Sequence, residues 1–431
     1  MTDPSQSTLR RNVALLGLDY ITFGIAMTIL GPTTILPSFV RLLGGGPLAV
    51  GSLAAIQSGG WLLPQLLASR YVTGRPLVKK FIVVPAATGR TALALLLPFL
   101  WLFSVQAPRP MLVALLLVMT CFWVADAVAS VGWFDLVAKS TPAEQRGRLI
   151  GVAQSLTSLL SIGVGVVVRA ILARPDPFPS SYVLLFLIAA VTFGVGVIAL
   201  GLVREPPGVS QSQAMPPWRD YLPRLKEIVR TDPRFSWVTV TRWLAGFADM
   251  SGAFYILFAT DRLHIPQEMI GLFISAGVAG GLLSGITLGP LSDRKGCAHV
   301  IAVIMGIRCL SPILALCAPL VAGYHPWLAP AAFMLIFAGA GMANSAHMIG
   351  FMNYLLQIAP PGDRPVYMGL GNTLNGVLLV GPLIAGWLVA TISYEFLFLV
   401  TLGLGALGLL ITLRGPGLLA PRQAPQPSSP C

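Results

Sequence analysis

The sequence predicts an all-α membrane protein of twelve membrane-spanning helices, arranged as two pseudo-symmetric six-helix bundles. Three observations carry that reading. Charged residues make up only 10% of the 431 residues and hydrophobic ones 55%, whereas a soluble domain is about a quarter charged; mean hydropathy is +0.79. Long, nearly charge-free runs recur from end to end, each long enough to cross the ~30 Å hydrocarbon layer as a helix. Polar residues also recur at a fixed spacing between the two halves of the chain.

The first six runs fall at roughly residues 13–39, 47–69, 81–104, 110–138, 149–173 and 181–203. Span 1 follows "MTDPSQSTLRRN"; it is longer than a signal-peptide core, carries Asp19 and shows no small-residue cleavage site, so it is expected to be retained. The second six fall at roughly 235–258, 268–289, 298–320, 327–358, 366–391 and 395–414. Alternating strands of about ten residues, the mark of a membrane barrel, are absent. The resulting domains are 1–204, an N-terminal six-helix bundle; 205–234, a linker; 235–414, a C-terminal six-helix bundle; and 415–431, a disordered tail. Within the linker, Trp218, Leu222, Leu225 and Val229 share one helical face, which suits a short helix lying on a membrane surface. The five cysteines show no CxxC spacing and read as small core residues.

The net charge of +12 does not imply a nucleic-acid partner. Twenty of the 28 Lys and Arg residues fall on the side that holds the termini and the linker, five on the other, and Arg90, Arg242 and Arg308 within spans. This asymmetry follows the positive-inside rule and places both termini in the cytoplasm.

The halves repeat. "TPAEQRGRLIG" and "APPGDRPVYMG" align Pro142, Arg146 and Gly151 with Pro360, Arg364 and Gly369 at an offset of 218. The same offset carries Arg90 onto Arg308, Asp126 onto Asn344 and Asp135 onto Asn353; near Gly51 and Gly271 it drifts to 220. Duplicated six-helix halves are a transporter architecture, with the solute site between them near mid-membrane.

"GPLSDRKG", Gly289 to Gly296, lies between spans 8 and 9. Together with twelve spans, the repeat and a central linker, it resembles the Major Facilitator Superfamily, over essentially the whole chain. Gly289, Leu291, Asp293, Arg294 and Gly296 match the family's loop motif, and Cys297 departs from its final basic position. The corresponding loop after span 2, "LASRYVTGRPLVKK", has no Asp. "PAEQRGRLIG", with Glu144, Arg146 and Gly147, is similar to the family's acidic–Arg–Gly loop, and Asp363 and Arg364 stand at its repeat. The resemblance implies a gating loop at Gly289, Asp293, Arg294 and Gly296. A carboxylate at Asp293 would also face the N-terminal positive end of span 11, worth about 0.3–1 kcal/mol. The drug–proton exporter signatures of the family are missing from spans 4 and 5. Gly277, Gly281, Gly285 and Gly289, spaced by four, mark a smooth face for close helix approach.

Charges at bilayer depth cost at least ~2.5–3.5 kcal/mol and face a partner or a wet cavity. Those expected are Asp19, Arg90, Asp126, Arg242, Asp249 and Arg308. At ~1.5 Å per residue, Arg90 and Asp126 both stand about 15–18 Å from one end of their helices. Two readings stay open. Arg90–Asp126 and Arg308–Asn344 are structural clamps within each half, or Asp126 faces the cavity with Asp19 and cycles a proton. The family places spans 1, 4, 7 and 10 around the cavity, which makes Asp19, Asp126, Asp249 and Asn344 the candidates for proton coupling or solute contact. Gln57, Gln65, Gln154, Asn372 and Asn375 offer further polar positions, and His347 reads as a buried histidine. The expectation is a multi-pass plasma-membrane protein, monomeric, with the lipid bilayer, a small organic solute and H+ as its partners. It would work by proton-coupled alternating access, export favoured over uptake, with no metal or cofactor. A passive facilitator, or a non-transporting receptor or assembly factor on the same scaffold, is the alternative. No nucleophile–base pair or cofactor loop suggests an enzyme.

Overall fold

The computed structural model describes residues 4–72, 75, 77–175, 178–206, 226–360 and 364–415. Twelve spans run antiparallel in chain order. They are α1 (Pro4–Leu30, continued after a break by Ile35–Leu42), α2 (Pro47–Val72), α3 (Lys80–Phe103), α4 (Pro108–Ser140), α5 (Ala143–Leu172) and α6 (Ser180–Leu202). The second half holds α7 (Pro233–Ala248, continued to Arg262), α8 (Met269–Lys295), α9 (Cys297–Ala322), α10 (Leu328–His347, continued to Ile358), α11 (Arg364–Leu374, continued to Thr391) and α12 (Tyr394–Arg414). Leu95, Phe99, Leu117, Ile198, Ile286 and Leu320 are exposed on the outer surface. Exposure of large apolar side chains on this scale suits a lipid surround and not water.

Local chemistry sets the ends. Pro108 and Pro233 open α4 and α7, where the missing N–H costs nothing. Asp232 caps α7 by accepting from the Arg234 and Phe235 amides. Gly31, at φ +55°, breaks α1, and Gly296, at φ +94°, ends α8; both conformations suit a residue without Cβ. α8 therefore stays helical through Lys295, so that most of the predicted "GPLSDRKG" loop is its last two turns. Three spans lose regular α geometry at depth: a tight turn at Asp249–Ser251 in α7, a wide one at Met348–Met352 in α10, and a tight stretch at Asn375–Val380 in α11.

Packing reproduces the repeat. α1 packs on α5 and α6, α2 on α4, and α3 on α4 and α6. In the second half α7 packs on α11 and α12, α8 on α10, and α9 on α10 and α12. The halves meet most extensively at two crossings, α2 with α11 and α5 with α8, and also where the Ile35–Leu42 end of α1 meets α7; glycines make both crossings. A Cβ on Gly51 would stand 3.2 Å from Gly386 Cα, and one on Gly165 would stand 2.9 Å from the Ser275 nitrogen. Of the predicted glycine stripe, Gly277 and Gly281 meet α10, while Gly285 and Gly289 face open space.

The core is unequal at the two ends of the molecule. On the face away from the linker, the distal face, one apolar cluster joins both halves through Phe39, Leu97, Phe186, Phe254, Phe273 and Phe398. On the linker face there are two separate clusters, one around Ile304, Phe351 and Tyr367 in the second half and one around Leu16, Ile82 and Leu136 in the first. The halves therefore share one core distally and keep separate cores on the linker face.

The linker helix falls mostly outside the described residues, Trp218, Leu222 and Leu225 among them. Residues 226–231 are helical, but Ile228 is the buried residue there and Val229 is exposed. This corrects the predicted apolar face at its last member: Ile228 packs with Phe235 and Trp237 on the second half.

Candidate functional site

Three spans bring three charges together inside the first half. α3 presents Arg90, whose Nη1 lies 4.0 Å from Asp19 Oδ1 on α1 and whose Nη2 lies 3.9 Å from Asp126 Oδ1 on α4. All three side chains are buried. Arg90 Nη1 also donates to the Phe193 carbonyl at 3.3 Å, and the guanidinium lies over the Phe23 and Phe193 rings. The Trp133 indole donates to Asp19 Oδ2 at 2.9 Å. Gly196 on α6 makes room for the cluster, because a Cβ there would sit 3.0 Å from Asp19 Oδ1. Asp126 Oδ2 and Asp19 Oδ1 are buried without a hydrogen-bond donor. The cluster lines a cavity of about 160 Å³ together with Trp61, Trp133 and Ser130. Tyr20, on the same wall, donates to Gln154 on α5.

The second half places Arg308 differently from the sequence expectation. Arg308 does not take Asn344 as its partner; it forms an ion pair with Asp249. The physical reason is the turn at Asp249–Ser251, which carries a carboxylate to the buried guanidinium, and an ionised acceptor binds a guanidinium more strongly than an amide does. Asn344 lines the same cavity of about 420 Å³, which lies between the halves with Ser58 and Trp61 of α2 on one wall and Arg242, Asp249, Arg308, His347 and Asn375 on the other. Trp61 borders both cavities. Asp19 and Asp126 line the smaller cavity and Asp249 and Asn344 the larger one; Arg90 lies between two carboxylates and Arg308 pairs with one.

The loop candidates lie elsewhere. Asp293 and Arg294 are exposed on the linker-face end of α8, and Asp293 borders a cleft with Ser292, Asn353 and Gln357. Gly289 is within the helix and Gly296 ends it. Arg146 Nε donates to the Thr141 carbonyl at 3.0 Å and Nη2 to that of Ala138, so it caps the C-terminus of α4. Gly147 lies in the first turns of α5 with open space around it. Asp363 and the side chains of Glu144 and Arg364 lie outside the described residues.

Sequence reasoning missed the bracket that closes the distal face. Arg41 at the end of α1 pairs with Asp261 at the end of α7, Nε to Oδ2 2.8 Å, and the Tyr394 hydroxyl lies 3.4 Å from the same oxygen. Nearby, Tyr182 donates to Gln267 at 3.1 Å, and Ser275 Oγ donates to the Ile162 carbonyl at 2.8 Å. A signal existed. Arg41 and Asp261 are 220 residues apart, the offset that relates Gly51 to Gly271. Repeat-related positions meet each other where they flank the pseudo-twofold axis.

Two duplicated bundles around a charged, inter-bundle cavity form the architecture in which membrane transporters hold a solute near mid-membrane. The chain belongs to the Major Facilitator Superfamily, whose family profile it matches over residues 20–378 and again over 258–430. YfkF of Bacillus subtilis (strain 168), an uncharacterized MFS-type transporter, is 28% identical over 176 residues, 39% of this chain and 41% of that protein. The uncharacterized protein Rv2209 of Mycobacterium tuberculosis (strain H37Rv) is 24% identical over 259 residues, 59% of this chain and 48% of that protein. The matches therefore span less than half the length of these curated relatives. Among solved structures, a mutant of the nucleoside transporter NupG superposes with a TM-score of 0.68 at 14% identity, covering 94% of this chain and 99% of that one. A bacterial homologue of the iron transporter ferroportin, in an inward-facing state, gives 0.67 at 17% identity, covering 94% and 98%. At such identities the likeness is one of fold.

Proposed function

We propose that the protein moves an organic solute by alternating access and couples that movement to protons at Asp19, Arg90 and Asp126. The observation that carries the reading is one guanidinium set between two buried carboxylates. With both acids ionised the cluster holds one surplus negative charge; one proton makes it neutral. A charge sealed at membrane depth costs at least ~2.5–3.5 kcal/mol, so closing the linker face over the cluster favours its protonated form. Opening the distal face then lets the proton leave. The linker face is the cytoplasmic one on this reading, with both termini there, because the basic residues gather on it. The parted halves are the inward-open state, in a plasma membrane.

The Arg41–Asp261 bracket acts as the outer latch, and the Asp293–Arg294 end of α8 acts as the inner one when the linker face closes. The boundaries 1–204 and 235–414 mark the rocking bodies, and the α2–α11 and α5–α8 glycine contacts are where they pivot.

The test is solute-induced proton movement in proteoliposomes loaded with a pH-sensitive dye. Wild-type protein is expected to move protons with solute, and Asp126→Asn to lose that movement while still equilibrating solute across the membrane. Proton movement unchanged in Asp126→Asn refutes the assignment. Solute equilibration without proton movement in the wild type leaves a passive facilitator.

A further inference from the structure

We propose that the carried solute is an organic anion whose carboxylate or phosphate seats on Arg242, in the cavity between α2 and the second half. The proposal rests on the transport reading above and names its substrate class. Arg242 stands about 14 Å into α7 at ~1.5 Å per residue. Both of its terminal nitrogens point at one oxygen, Asn372 Oδ1 on α11, at 3.4 Å each, outside the usual 2.7–3.2 Å of an N–H···O bond. No carboxylate lies within salt-bridge distance of it among the described residues. The other guanidinium of the cavity, Arg308, is matched by Asp249. What remains on the polar wall is three uncharged side chains, Ser58, Asn344 and Asn375, and the His347 imidazole, with no further carboxylate. The cavity therefore carries one unmatched positive charge at membrane depth, where charges ordinarily find a partner or water.

The geometry selects the kind of partner. A guanidinium presents parallel N–H donors that fit the two oxygens of a carboxylate or phosphate. Here the terminal pair is already aimed in one direction, at a single amide oxygen that serves it poorly. Asn375 Oδ1, buried without a donor, is an acceptor that a hydroxyl or N–H on the solute would satisfy. The remaining wall of Trp61, Met250, Leu378 and Pro382 is apolar, and the volume of about 420 Å³ is that of a small-molecule pocket. The opposite surplus sits across Trp61, on the Asp19–Arg90–Asp126 cluster. An anion on Arg242 and a proton on that cluster neutralise both surpluses at once, so the loaded carrier holds no unmatched charge in either cavity.

The test measures binding, without any gradient. Purified full-length protein in nanodiscs is titrated with indole-3-propionate, indole-3-propionamide, tryptamine and tryptophan, with benzoate and inorganic phosphate as further anions, and thermal unfolding is followed. Indole-3-propionate is expected to raise the Tm, while the neutral amide and the cationic amine do not. Arg242→Gln should weaken anion binding by about tenfold or more, and Arg242→Lys, which keeps the charge but loses the fork, by less. If Arg242→Gln does not fold, the wild-type series and Arg242→Lys decide. Equal stabilisation by the amide or the amine, stabilisation by tryptophan alone, no stabilisation by any anion, or full anion affinity in Arg242→Gln overturns the proposal. Proton coupling is read separately, from Asp126→Asn in liposomes, so either reading can fail while the other stands.

Discussion

Arg90 is shared by carboxylates from two different spans, and its removal tests how the first half tolerates them. Arg90→Leu leaves Asp19 and Asp126 buried without a cation. Removing one partner of a buried ion pair costs about 3–5 kcal/mol. Thermal unfolding in detergent should show a large fall in Tm for Arg90→Leu, partly restored when Asp126→Asn is added, because one uncompensated charge is then gone. Equal Tm values for Arg90→Leu and wild type would mean that the cluster does not hold the half together. The exposed pair Arg41–Asp261 belongs to a different regime: half-exposed pairs are worth ~0.2–1 kcal/mol. Arg41→Ala should hardly change the Tm but should raise the reactivity of a cysteine introduced on the distal face. The reversed pair Arg41→Asp with Asp261→Arg should restore protection, and a labelling rate unmoved by Arg41→Ala would show that the bracket does not hold that face. Asp19, Arg90, Asp126, Asp249 and Arg308 were legible in the sequence because ionised residues stand out against spans that are otherwise apolar. Which carboxylate met Arg308 was not, since it depends on a tight turn at Asp249 that no spacing rule reveals. Nothing local in the sequence marks Arg41 and Asp261, because their meaning arises only when the two halves face each other.

At the scale of elements, the ends and the crossings decide stability. Glu205, just past α6, has a buried side chain that accepts from the Val78 and Lys79 amides at 2.7 and 2.9 Å, with Lys139 of α4 3.8 Å away. It satisfies the open N-terminus of α3 and ties α3, α4 and α6 together at the linker face. Glu205→Ala should cost about 1–3 kcal/mol, the penalty for stranding buried donors, read as a fall in Tm; an unchanged Tm would mean that water replaces the carboxylate. The crossings of α2 with α11 and α5 with α8 depend on backbone contact at Gly51, Gly386, Gly165 and Gly271. Gly165→Leu should push α5 away from α8 and lower both stability and transport. The same substitution at Gly285, where a Cβ meets nothing, should be tolerated. If the two behave alike, the crossing does not govern the pivot. The glycine spacing in α8 was visible in sequence, but which glycines touch a helix was not. The stripe covers one face of α8, and α10 follows only its distal part.

For the whole molecule, the count of spans and their helical form followed from hydropathy, and the repeat from a polar offset, because a bilayer permits few ways to satisfy a backbone. The repeat offset maps α5–α8 onto α2–α11, so these two crossings are one contact seen twice. What sequence could not supply was the state of the molecule: one shared core at the distal face and two separate cores at the linker face are a property of one conformation. Alternating access requires the opposite arrangement to be reachable as well. Pulsed electron resonance on spin labels, in a cysteine-free background, measures both ends of the molecule together. One label pair replaces Arg148 and Lys295 on the linker face, and the other replaces Arg109 and Tyr324 on the distal face; all four side chains are exposed. Between about pH 6 and pH 8 the two distances should shift in opposite directions in the wild type, and Asp126→Asn should abolish the shift. Distances that move together, or a pH response that survives Asp126→Asn, would contradict a carrier that rocks about its distal seal under control of a buried acid.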